Sequence, residues 1–109
     1  MNYSELLMAE KARLEAELKR PLETLQIERV TVEDQAPLLH EQFLSIRQHN
    51  LAYQTLKQVQ AALERLRSGQ YGICEQCDEA VSEKRLKAVP WTPFCRDCQE
   101  ELSSRRLAA

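Results

Sequence analysis

Glycine occurs only twice in the 109 residues, and aromatic residues make up just 6% of the chain. A sequence so short of both does not have the usual makings of a sheet protein with many tight turns. Long apolar runs are missing too, and no stretch approaches the roughly 18 residues that span a membrane. The amino terminus, MNYSELLMAEKARLEAELKR, has no charged segment followed by an apolar core, so no secretion signal is expected and the predicted location is cytoplasmic. An excess of positive charge is also lacking. Lys and Arg number 15 against 17 Asp and Glu, giving a net charge of -2 and a pI near 5.7. The molecule as a whole therefore lacks the positive field with which proteins bind phosphate backbones, and no sequence-specific DNA binding is expected.

What is abundant is Leu, Glu, Ala, Lys, Arg and Gln, the residues that lose least in a helix, so the predicted fold class is mainly α. A chain of this length leaves little material for a large core, and a metal, a coiled coil or a partner has to supply part of the stability.

From residue 4 to about 30, Leu7, Leu14, Leu18, Leu22 and Leu25 recur at helical spacing and form one apolar seam. Ser4 is a plausible start, and Pro21 predicts a kink or break because it removes a backbone donor and crowds the preceding turn. A second seam runs through Leu39, Phe43, Ile46, Tyr53, Leu56, Val59, Leu63 and Leu66, with Asn50 read as an exposed polar residue beside it. Residues 37–68 would span roughly 45 to 50 Å as a helix, comparable with the first. Neither helix can bury its stripe alone, so the two are expected to pair as an antiparallel coiled-coil hairpin over residues 1–69. Its tip falls near 28–37, where Thr31 and Asp34 match a Ser/Thr-x-x-acid helix start and Pro37 suggests a start a few residues later. Gly69 suits the left-handed position that ends the second helix.

Residues 70–109 form a second unit with a short terminal helix from Arg96 to about Leu107. Its mark is Cys74-x-x-Cys77, seventeen residues, then Cys95-x-x-Cys98, which uses every cysteine of the chain. Two residues between thiolates allow a tight turn to aim both at one ion, and two such turns complete a tetrahedron, so one structural Zn2+ is predicted on Cys74, Cys77, Cys95 and Cys98. Four thiolates leave no open position for water or substrate, which argues against zinc catalysis. The rival reading, a redox pair, usually needs a strand-to-helix setting that this chain does not offer. Trp91 and Phe94, between the knuckles, are expected to cover the site with apolar surface, and a base-stacking role for Trp91 is the minor alternative.

The stretches Gly69-Gln-Tyr-Gly-Ile-Cys74-Glu-Gln-Cys77, Ser82-Glu-Lys-Arg-Leu, Pro90 and Phe94-Cys95-Arg-Asp-Cys98-Gln-Glu resemble the DksA/TraR family of bacterial zinc-finger transcription regulators. The resemblance implies a hairpin that enters the secondary channel of RNA polymerase while the zinc end stays near the entrance, altering promoter complexes without reading DNA sequence. The family tip carries Asp-x-x-Asp-x-Ala; here Asp34 and Ala36 match, while Thr31 stands in place of the first acid. Asp34 is thereby implied as a contact near the polymerase active centre, with Ala36 permitting close approach. Without the resemblance, Asp34 reads as an ordinary acid at a helix start. Glu33 is turned by about 100° from its neighbours and does not simply replace the missing acid.

His40 and His49 have no ligand-spaced partners and are assigned no chemistry. Lys84, Arg85 and Lys87, and later Arg105 and Arg106, read as solvated faces. The chain is thus expected to be a non-enzymatic, monomeric regulator that binds RNA polymerase. The alternative is a zinc-finger adaptor for another protein or nucleic acid, and an enzyme comes third because no nucleophile, base and open metal position occur together.

Overall fold

The computed structural model describes residues 2–20 and 30–108, so Pro21, Leu22, Leu25, Ile27 and the first two positions of the expected tip lie outside the described residues. Among the described residues four helices follow one another: α1 (Tyr3–Lys19), α2 (Val32–Ser68), α3 (Glu83–Ala88) and α4 (Arg96–Ala108). No helix of the described residues is long and apolar enough to cross a membrane.

Helix α1 starts earlier than Ser4 suggests, because Asn2 is the cap and its Oδ1 accepts the Ser4 N–H at 2.9 Å. It ends at Lys19, with Arg20 in an extended conformation. The residue before a proline is pushed out of the helical region by the proline ring, so the break expected at Pro21 is felt one residue upstream. Helix α2 settles the rival start signals in favour of Thr31, its N-cap residue, and runs on through Pro37. The proline leaves the Glu33 carbonyl without its helical donor, but Glu33 is exposed, where water can satisfy it. At the other end Gly69 adopts φ 79°, and the N–H of Gln70 reaches back to the Arg65 carbonyl at 2.8 Å, the glycine stop that the sequence predicts.

The two long helices pair antiparallel, since the Tyr3 ring at the start of α1 lies 5.4 Å from that of Tyr71, just beyond the end of α2. Leu7 and Leu14 are buried against Ala52, Val59 and Ala62, flanked by Leu18, Leu56, Leu63 and Leu66. Ala52 and Ala62 escape the periodicity of large residues, yet they form the contact, because small side chains let the two helices approach closely. The expected seam is corrected in its first half: Leu39, Phe43, Ile46 and Tyr53 are exposed. The expectation of comparable helices rests partly on residues 21–29, which lie outside the described residues. In its described extent α1 has 17 residues and runs about 25 Å along the finger-proximal half of α2, which has 37 residues and runs about 55 Å. Asn50 is exposed, as expected. The whole measures 56 × 35 × 20 Å, an elongated body set by α2.

Val59 is fully buried at the centre of this contact. Val59→Ala is expected to destabilise the chain by about 1–3 kcal/mol through lost burial and the void left behind. A thermal melt followed by circular dichroism checks this; an unchanged midpoint would mean that the α1–α2 contact does not limit stability.

Candidate metal centre

The finger begins where α2 stops. Gly72, at φ 83°, turns the chain so that Ile73 bridges Ala80 antiparallel and the Val81 N–H reaches the Gly72 carbonyl at 2.8 Å. Inside this turn the Cys74 N–H donates to the Glu79 carbonyl at 2.8 Å, and the Asp78 N–H donates to the Cys74 carbonyl at 2.9 Å. Asp78 completes the knuckle with φ 62°, a left-handed conformation that Asp tolerates better than most residues. The turn that carries the first pair of cysteines is thus held by backbone hydrogen bonds.

Helix chemistry places the second pair. Cys95 immediately precedes α4, and its Sγ accepts the Cys98 N–H at 3.4 Å while its carbonyl takes the Gln99 N–H at 2.9 Å. A sulfur at a helix N-terminus meets N–H groups that the helix itself leaves unpaired. The Glu75 N–H donates to the Pro93 carbonyl at 2.9 Å and ties the two knuckles together.

All four Sγ atoms lie within 4.8 Å of one another, and those of Cys77 and Cys95 are 3.9 Å apart. A zinc ion with Zn–S bonds of about 2.3 Å needs sulfurs about 3.8 Å apart at the corners of its tetrahedron, so the donor set fits in size and chemistry. Cys74 and Cys98 are buried, Cys95 is half-buried and Cys77 faces solvent. Burial works against ionising Cys74, but backbone hydrogen bonds from Cys95, Cys77 and Gln76 outweigh it and bring the thiol down to about 6. Cys98 is pushed up, first by its hydrogen bond with the Cys95 side chain and then by burial. Four neighbouring thiols cannot all ionise unaided; a divalent cation supplies the charge that lets them.

Around the sulfurs Val81 and Leu86 are buried, with Phe94 packed against them. Trp91 departs from expectation: it packs on the core between α1 and α2, not over the cysteines. Arg85 departs as well. Its Nε donates to the Phe94 carbonyl at 2.9 Å and its Nη2 to Thr92 Oγ1 at 3.1 Å, so it braces the loop before Cys95 and is no solvated cation. Thr92 is itself buried and passes the bond on to the Phe94 carbonyl at 2.9 Å. Arg65, 13% exposed, reaches from the last turn of α2 to the Trp91 and Thr92 carbonyls and to Glu75, each at 3.4 Å. Tyr71 Oη adds a bond to the Pro90 carbonyl at 2.8 Å. Sequence reasoning misses Arg65, Tyr71 and Thr92 as the joint between helices and finger. It also misses α3, although Ser82, which caps it by accepting the Arg85 N–H at 3.2 Å, is a visible start signal.

Asp34 and Ala36 lie at the opposite end of α2, both exposed. About 50 Å of helix separates Asp34 from Ser68. Two positions apart on a helix, Asp34 and Ala36 do not share a face. His40 is exposed and His49 half-buried, and the described residues gather no second cluster of three or more metal ligands.

Residues 69–103 match the prokaryotic dksA/traR C4-type zinc finger. An uncharacterized protein of Aquifex aeolicus is 47% identical over 53 residues, 49% of this chain and 37% of that protein. The RNA polymerase-binding transcription factor DksA of Haemophilus influenzae is 29% identical over 77 residues, 69% of this chain and 53% of that one. These matches thus span about half or less of either relative's length. The solved structure of transcription factor DksA2 from Pseudomonas aeruginosa superposes with a TM-score of 0.65 at 25% identity, covering 95% of this chain and 82% of that one. The chain's cofactor is one structural zinc ion, for which the clustered cysteines are the donors present. Residues 69–103 are thus a C4-type zinc finger of the dksA/traR kind, and the helices before it match those of DksA2 in structure.

Proposed function

We propose that this chain is a transcription regulator that binds RNA polymerase, with the helical hairpin of residues 1–69 reaching into the secondary channel and the finger of residues 70–109 acting as a rigid base. In this reading Cys74, Cys77, Cys95 and Cys98 all ligate the zinc, Asp34 is the acting group at the tip, and Ala36 leaves room for a partner surface beside it. The regulator is monomeric, has no catalytic activity of its own and acts without reading DNA sequence.

The observation that carries this reading is an exposed carboxylate held at the far end of a helix about 55 Å long, whose other end is locked into a four-thiol finger. Arg65 and Tyr71 tie that end of the helix to the finger through hydrogen bonds to the carbonyls of Pro90, Trp91 and Thr92. The curated relative from Haemophilus influenzae is an RNA polymerase-binding factor, which supports the same partner here.

A pull-down with purified core RNA polymerase tests it. The chain is expected to retain the polymerase, and a variant whose residues 30–37 are replaced by a short Gly-Ser turn is expected to lose that retention with its finger intact. Tight DNA binding without polymerase retention would sink this reading in favour of an adaptor.

A further inference from the structure

We infer that Thr31 is a positioning residue for Asp34, holding one oxygen of the tip carboxylate so that the other faces the partner's cationic group in a fixed direction. The inference rests on the tip reading above. Thr31 occupies the N-cap position of α2, where a threonine hydroxyl ordinarily accepts a backbone N–H from the first turn. Here it makes no such bond. The Asp34 N–H is instead satisfied by the Thr31 carbonyl at 3.0 Å, and the hydroxyl is free to act as a donor. It donates to Asp34 Oδ2 at 2.9 Å.

The capping task has therefore passed to the backbone, and the side chain does something a cap does not need. Threonine is restricted about its first torsion, so its hydroxyl oxygen has few positions to choose from. An exposed aspartate on a first helical turn otherwise samples several rotamers, and ordering it when a partner arrives costs affinity or effect. A second acid at position 31 would offer repulsion at this distance; a hydroxyl offers a hydrogen bond. The tip thus presents one aimed carboxylate at the positive end of the helix dipole.

The test uses the full zinc-loaded chain and purified RNA polymerase on a sensitive promoter. Thr31→Val keeps the shape and removes the donor; it is expected to lower the maximal regulatory effect about three- to tenfold, the net worth of one ordinary hydrogen bond at an exposed site. Helix content, melting midpoint and polymerase retention are expected to stay unchanged. Thr31→Ser restores the donor and is expected to act within about twofold of the unmodified chain, a rescue that a purely steric role would not give. In the double variant with Asp34→Asn, Thr31→Val is expected to add no further loss, because the two residues act as one unit. Full activity of Thr31→Val, equal loss in Thr31→Ser, or a drop in helix content that tracks the loss would each overturn the positioning role. Full activity of Asp34→Asn would instead remove the tip reading itself, and the two failures are told apart by that single variant.

Discussion

Stripping zinc from the folded chain with a strong chelator is expected to unfold residues 71–98 and leave the α1–α2 core helical. The finger's buried apolar set, apart from the cysteines themselves, is Val81 and Leu86, too little to offset the ordering of a segment this long. Structural zinc in small fingers contributes on the order of 10 kcal/mol to folding, and its loss leaves four thiols crowded within 4.8 Å. The helical core does not depend on the ion in the same way, because Leu7, Leu14, Ala52, Val59 and Ala62 bury one another. Tyr71 packs on both clusters, so the end of α2 is expected to loosen while its middle holds. Metal analysis should give one zinc per chain before chelation, and amide spectra should lose their dispersed signals for the finger afterwards. Cys77→Ser removes the most exposed donor with little change in packing. If that variant keeps a full zinc ion and an unchanged finger, the four-thiolate assignment is wrong.

Asp34→Asn is expected to separate binding from regulation. The substitution keeps size, and its amide oxygen can still accept the Thr31 hydroxyl, so only the charge is lost. At an exposed helix start that charge contributes roughly 0.3–1 kcal/mol to the helix, too little to unfold α2. The zinc site, at the other end of α2, is out of reach of the change. Under the proposed function, polymerase retention is expected to hold within about tenfold, equivalent to about 1.4 kcal/mol, because a single tip carboxylate would be a small part of the contact. The effect on a sensitive promoter is expected to fall by most of its size, since the charge is what a cationic group or a metal's surroundings near an active centre would sense. Unimpaired regulation by this variant would return Asp34 to an ordinary helix-start residue.

Local chemistry, which depends on neighbours along the chain, is legible in the sequence itself. The two Cys-x-x-Cys pairs announce one tetrahedral site because ligand spacing is a local constraint, and Gly69 announces the end of α2 because a left-handed residue closes a helix that way. Leu7, Leu14, Leu56 and Val59 announce the face on which the helices meet. Tertiary structure decides what depends on distant segments meeting. Ala52 and Ala62 are core because α1 lies across them, and Leu39, Phe43 and Ile46 stay exposed because α1 in its described extent ends short of them. Arg65 and Arg85, indistinguishable in sequence from surface cations, are braces only because the chain brings the carbonyls of residues 91, 92 and 94 within reach of their guanidinium groups. Trp91 goes to the helices and Phe94 to the zinc end, although three residues apart, because the chain bends at Pro93 and Phe94, where the Thr92 hydroxyl accepts the Phe94 N–H. A hydrogen-bond donor or an apolar ring is set by its residue type; which partner it meets is set by the path of the chain.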